Sequence, residues 1–271
     1  MPVDLERRSF ARSRSEVSVH ASSWQTPSNI PSLDDASVHV WLANIFLLEH
    51  CAASFDALID ADERARGSAF HSPLDRVRHL VTRGVLRALA GHYLDSPPTA
   101  LRFKRGTFGK PAITSPDGAP LTFNVSHSGD VVLLAFARAG ELGVDVERWN
   151  PRLGDAERAR IAESVFSDTE RATLESISSA ALRQHAFYSL WSRKEAYLKG
   201  TGAGISGGLS HVEISMDEVA RVVEDRRDAR AVDRWTLCDL DVGPGYSAAL
   251  ASSPHGSAVT LLMPSTHLFD R

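Results

Sequence analysis

An α+β fold is predicted for this chain, and three observations predict it. Short apolar runs of strand character are interspersed with helical periodicities, but without a regular β-α-β rhythm. The pattern of helix followed by strands occurs loosely twice, on either side of about residue 141. Apolar residues make up 43% and charged residues 24% of 271 residues, so a substantial core can be buried.

The elements follow in order. Residues 1–34 include the stretch RRSFARSRSEVSVHASS, rich in Arg and Ser and without the apolar run of a signal peptide. Its composition also suits a transit peptide, and a mobile or loosely packed extension is expected. VHVWLANI (38–45) has strand character, and a short helix is expected over about 56–69 with Glu63, Arg64 and Arg66 exposed. Ser72-Pro73-Leu74-Asp75 then starts a helix, with a capping hydroxyl, a proline at the first position and a first-turn carboxylate. Leu74, Val77, Val81, Val85, Ala88 and Leu89 form its apolar stripe, and Arg76, Arg78, Arg83 and Arg87 decorate the remainder.

LRFKRGTFGKPAI is a strand running into a Gly-Lys-Pro turn. LTFNVSHS turns Leu121, Phe123 and Val125 inward, VVLLAFAR (131–138) suits a buried strand, and LGVDVER (142–148) is another. After Pro151 come helices over about 155–166, after the Ser167-Asp168-Thr169-Glu170 cap, and over about 180–199. A Gly-rich loop (200–208) precedes four strands, HVEIS, WTLCDL, YSAALAS and AVTLLM.

Several function classes are excluded or disfavoured. A net charge of −4 provides no general attraction to nucleic acid or anionic membrane, and no apolar run reaches membrane-spanning length. Cys51 and Cys238 lack metal-ligand spacing and suit a reducing cytoplasm. There is no G-x-S-x-G, which disfavours a serine hydrolase, and no G-x-x-x-x-G-K-[ST], which disfavours a nucleoside-triphosphate phosphotransferase. Gly200-Thr201-Gly202-Ala203-Gly204 follows a helix and suits a helix-ending loop better than a dinucleotide site.

Five stretches carry chemistry. In Asp145-Val146-Glu147 strand alternation turns both carboxylates to one face, where a hard cation would offset their repulsion; a solvent-facing edge beside Arg148 is the plain alternative. Asn124-Val125-Ser126-His127-Ser128-Gly129 offers a hydroxyl, an imidazole and turn N–H groups to phosphate, or is simply a hairpin turn. Phe108-Gly109-Lys110-Pro111 would set an ammonium beside a rigid proline face, or is a plain turn. Glu170 caps its helix or acts as a base. Glu195 and Lys199 lie four residues apart, as an ordinary helical ion pair or as groups aimed at a substrate.

The order of these motifs resembles that of 4′-phosphopantetheinyl transferases of the longer, surfactin-type class, over about Glu63 to Ile205. The resemblance implies two similar α/β halves in one chain, related by a pseudo-twofold, each with an antiparallel sheet packed against helices. Residues 35–141 would form the coenzyme A-binding half and residues 142–271 the half with metal and catalytic residues. It implies transfer of 4′-phosphopantetheine from coenzyme A to a serine of an apo acyl or peptidyl carrier protein, releasing adenosine 3′,5′-bisphosphate. Mg²⁺, with Mn²⁺ as a substitute, would be held by Asp145, Glu147 and Glu195. Coenzyme A would meet Arg66, Arg78, Lys110, Pro111, Asn124, Ser126, His127, Asp145 and Lys199, with Arg64 and Arg83 less clearly placed. Glu170, Glu195 and Lys199 would be catalytic, Glu170 and Glu195 being rival bases. A cytoplasmic monomer is expected, and a non-catalytic coenzyme A or carrier-protein binding module is the alternative.

Overall fold

The computed structural model describes residues 23–106, 110–114, 120–204, 208–254 and 257–269. The fold is α+β, arranged as helices, sheet, sheet and helices in successive layers. The chain begins with β1 (Ser37–Asn44), then α1 (Ile45–Leu48), α2 (Ala52–Leu58), α3 (Ala61–Ser68) and the long α4 (Pro73–Tyr93). A hairpin of β2 (Arg102–Arg105) and β3 (Pro111–Thr114) leads to β4 (Thr122–Ser128), β5 (Val131–Ala137) and β6 (Glu141–Arg148). Next come α5 (Asp155–Val165), α6 (Asp168–Ser176), the 22-residue α7 (Ala180–Thr201), β7 (Val212–Ile214) and β8 (Val222–Asp225). The chain closes with α8 (Ala231–Arg234), β9 (Thr236–Asp239), β10 (Tyr246–Ser253) and β11 (Ala258–Leu262).

Alternation on the strands explains the layers. In the four-stranded sheet β11-β1-β5-β4, Trp41, Ala43, Val132, Leu134 and Phe136 face α2 and α4. The intervening residues Val38, Val40, Leu133 and Ala135 face the other way. They meet Leu142, Val144, Val146 and Leu250 of the second sheet, β6-β10-β9. This burial on both faces makes β5 apolar throughout. The far side of the second sheet packs on α7, with α5 and α6 beyond it.

The structure departs from the sequence expectations at identifiable places. The helix expected over 56–69 is two helices broken at Ile59–Asp60, because Asp60 caps α3 in a reciprocal capping box with Glu63. Glu63 is not exposed: its carboxylate accepts from Asp60 N and pairs with Arg83 and the wholly buried Arg87. Leu74, expected in the core stripe, is exposed at the first turn of α4. Strand β8 is an addition, and the first sheet is mixed because β1 and β11 run parallel.

That pairing also returns the last strand of the chain to the first half, where Leu262 and Phe269 join the core around α4. Residues 23–34, expected in the mobile extension, are packed down. Gln25 bridges to Leu262, the Trp24 indole donates to the Asp241 carbonyl at 2.5 Å, and Leu33 enters the core. Residues 1–22 lie outside the described residues, as do Phe108 and Gly109 of the Gly-Lys-Pro turn and part of the loop after α7.

Candidate active site

The site forms where β4, β6 and α7 meet. Strand alternation on β6 sends Val144 and Val146 into the inter-sheet core and turns Gly143, Asp145 and Glu147 the other way. Helix α7 lies close against β6 because Gly143 has no side chain. A Cβ there would stand 2.1 Å from the Ala196 carbonyl oxygen and 2.3 Å from Gly200 N. The face of α7 turned to the sheets carries Ser192, Glu195 and Lys199, at helical spacings of three and four. The Ser192 hydroxyl donates to the Ser247 carbonyl and fixes the rotation of the helix. Gly202, at φ 72°, ends α7 in a left-handed cap, as the helix-ending reading of the Gly-rich loop requires.

Asp145 is buried, and its Oδ1 accepts from Lys199 Nζ at 2.6 Å and from the Ser126 hydroxyl at 3.0 Å. Its Oδ2 and the Glu195 Oε1 are buried without a hydrogen-bond partner. Such bare oxygens are costly unless something arrives to satisfy them. Burial, and then the charge of Asp145, push the Glu147 and Glu195 carboxyls up to about 7. Asp145, Glu147, Glu195 and Lys199 thus feel one another, yet among the described residues no group of three or more His, Cys, Asp or Glu is arranged to hold a metal ion. Lys199 pairs directly with Asp145 in this structure and not with Glu195 four residues before it, although Glu195 lies near enough to feel both charges.

The remaining expected residues divide in two. His127, at the surface of β4, is held below the ordinary histidine range by the protein around it and then by Arg78. Arg78 in turn donates twice to the Gly129 carbonyl, at 3.1 and 2.8 Å. Arg66 and Pro111 line a separate cavity of about 280 Å³ with Arg83, Lys104 and Phe103. Arg83 and Arg87 stack over the Phe103 ring at 4.3 and 5.0 Å. Arg64 lies outside this cavity's lining and pairs with Asp56.

Lys110, Asn124 and Ser126 serve the frame. Lys110 Nζ donates to the carbonyls of Leu142 and Gly200, at 3.1 and 2.7 Å, and burial lowers its pKa. The Asn124 side-chain oxygen accepts from Val144 N at 3.0 Å. Glu170 fulfils its capping role: Oε2 accepts from Ser167 N and from the buried Lys194, and Oε1 from Ile214 N. Sequence reasoning missed Lys194, Glu63 and Arg87 as buried charges. The Asp60-x-x-Glu63 spacing could have exposed the second of these as a cap.

A profile described as the 4′-phosphopantetheinyl transferase superfamily matches residues 141–251, and one described as 4′-phosphopantetheinyl transferase, N-terminal, matches residues 49–139. The chain belongs to the 4′-phosphopantetheinyl transferase superfamily, and it is an enzyme of that type. It is 30% identical over 231 residues to the 4′-phosphopantetheinyl transferase HetI of Nostoc sp., covering 85% of this chain and 93% of HetI. It is 39% identical over 183 residues to the slr0495 protein of Synechocystis sp., named as a candidate enzyme of the same kind, covering 68% and 72% of the two chains. Sfp of Bacillus subtilis is 28% identical over 199 residues, or 73% of this chain and 84% of Sfp.

Proposed function

We propose that the enzyme moves the phosphopantetheine arm of coenzyme A to a serine of an apo acyl or peptidyl carrier protein, releasing adenosine 3′,5′-bisphosphate, in a Mg²⁺-dependent reaction. The observation that carries this reading is the pair of buried, unpartnered carboxylate oxygens on Asp145 and Glu195, one from each element of the β6–α7 contact. They fit a hard divalent cation, which takes oxygen ligands. Asp145, Glu147 and Glu195, which are not gathered into a ready-made ligand set, would draw together to hold it, and Mn²⁺ would substitute. The cation supplies charge neutralisation to the pyrophosphate when bound.

The protein's own groups account for the rest. Phosphoryl-type transfer needs positioning and charge neutralisation more than a covalent intermediate. Lys199 and Arg78 offer positive charge, and His127 offers a neutral imidazole as a hydrogen-bonding partner. The cavity with Arg66, Lys104 and Pro111, which Asp60, Asp62 and the Glu63–Arg83 pair also line, offers a rigid apolar face and cations to a nucleotide. The serine proton passes to a carboxylate directly or through water. Of the two rival bases Glu195 is favoured, because the Glu170 carboxylate is engaged by three donors; with Oε1 turned to the cation, Glu195 would take the proton on its other oxygen or through water. Docking of an acidic carrier helix is assigned to the region after Pro151.

A cytoplasmic monomer is part of the same proposal. Among the described residues no helix is long and apolar enough to cross a membrane. Chromatography of the reaction products tests the reading. Adenosine 3′,5′-bisphosphate is expected only when coenzyme A, Mg²⁺ and an apo carrier are all present, and not when the carrier serine is replaced by alanine. Product formed without the carrier would refute transfer as the reaction.

A further inference from the structure

Strands β4 and β6 are edges of different sheets, and side chains hold them together. The Asn124 side-chain oxygen accepts from Val144 N, the Ser126 hydroxyl from Val146 N at 3.3 Å, and the Ser128 hydroxyl from Arg148 N at 3.0 Å. The three partners keep a constant separation of 20 residues, so this is a regular ladder. Alternation on β4 brings every second side chain to the seam, where each takes the place of a backbone carbonyl.

The two serines do something the asparagine does not. Ser126 also donates to Asp145 Oδ1 at 3.0 Å, and Ser128 donates to Glu147 Oε2 at 3.3 Å. We infer that Ser126 and Ser128 are positioning residues, each fastening one carboxylate of β6 to the peptide N–H that follows it, so that the first half aims the acidic groups of the second. A serine hydroxyl has one hydrogen and two lone pairs. Ser126 uses all three, on Asp145, Val146 N and Lys199 Nζ, and it is only 7% exposed. It therefore has nothing left to offer a phosphate oxygen. The donated hydrogen occupies Asp145 Oδ1, which leaves Oδ2 as the bare atom. Groups that orient a metal's ligands typically govern affinity for the metal.

The inference rests on the proposed metal-dependent reaction, and its test separates the two. Ser126→Ala, Ser128→Ala and Ser128→Thr are compared by Mg²⁺ and Mn²⁺ calorimetry without coenzyme A, by transfer kinetics, and by amide exchange. Both alanine variants should need roughly tenfold more Mg²⁺ for half-maximal rate, with KM for coenzyme A within about twofold of wild type. Ser128→Thr keeps the hydroxyl and should restore the wild-type Mg²⁺ requirement. The Val146 and Arg148 amides should exchange faster in the matching variant only. Ser128 is half-buried, so its variants carry the test if Ser126→Ala does not fold. A raised KM for coenzyme A with unchanged divalent binding overturns the inference, because the serines would then touch the substrate. So does divalent binding that is absent in wild type or equal in all variants. Weakened divalent binding in the alanine variants of an enzyme that modifies no carrier would leave the ladder standing and reject the proposed reaction.

Discussion

Asp145 and Glu195 each leave one buried oxygen bare, and both carboxylates answer to Lys199. Asp145→Ala and Glu195→Ala are each expected to cut Mg²⁺-dependent transfer by at least about 100-fold while thermal unfolding stays cooperative; carrier loading followed over time measures it. The pH dependence follows from Glu147 and Glu195, whose carboxyls stand near 7 against a usual 4.5. Folding favours their protonated forms, so their contribution to stability is complete below about pH 4.5 and is lost as pH rises through about 7. In metal-free thermal melts, Glu147→Gln should flatten that decline, and Mg²⁺ should raise the melting temperature most above about pH 7. A Mg²⁺ effect of equal size at pH 5 would contradict the assignment. Asp145, Glu195 and Lys199 were legible as residues because period two on a strand and period four on a helix fix which side chains share a face. The direct contact of Lys199 with Asp145 was not, because it joins elements that the sequence places 54 residues apart.

The C-terminal half of α7 is buried on nearly every side, and polar side chains there are placed by partners from α6, β9 and β8. Lys194 meets Glu170, Arg193 forms a two-pronged pair with Asp239, and Tyr197 donates to Asp225. Breaking the wholly buried Lys194–Glu170 pair with Lys194→Met should cost about 3–5 kcal/mol, because the carboxylate is left uncompensated. Adding Glu170→Leu removes the stranded charge but also the acceptor of Ser167 N and Ile214 N, so only part of that loss should return in chemical denaturation. Transfer by the folded double variant is expected to remain within about tenfold of wild type, as it would not if Glu170 were the base. Gly143→Ala drives a methyl into the α7 backbone, which has no side-chain freedom to yield. A destabilisation of roughly 1–3 kcal/mol is expected, with a fall in transfer rate as Glu195 and Lys199 move from Asp145. The cap at Ser167, the stop at Gly202 and the extent of α7 were all legible from local chemistry. The burial of Glu63 and Arg87 was not, since a helical stripe reports the apolar face and says nothing of carboxylates arriving from α3.

The two halves are tied together by more than the seam. The final strand β11 crosses back to pair with β1, and Leu261, Leu262 and Phe269 are all buried. Truncation before Ala258 should therefore unfold the first half as well, read as loss of cooperative melting and of coenzyme A binding in equilibrium dialysis. Inside that half His39 accepts or donates at Tyr93 Oη, 2.8 Å away, and burial lowers it to about 4. The neutral ring is the folded form, so stability falls as pH drops from about 6.5 through about 4, opposite in sign to the carboxyl effect. The α+β class and the strand-rich C-terminal region were legible from periodicity, whereas the return of β11 was not, because no local pattern names a strand's neighbour. The central claim is that this molecule builds one metal-assisted transfer site where its halves meet. Intact mass of an apo carrier protein, incubated with the enzyme, coenzyme A and Mg²⁺, tests it most directly. The account predicts the gain of a single phosphopantetheine, abolished by a chelator; unchanged mass across a panel of acyl and peptidyl carriers would contradict it.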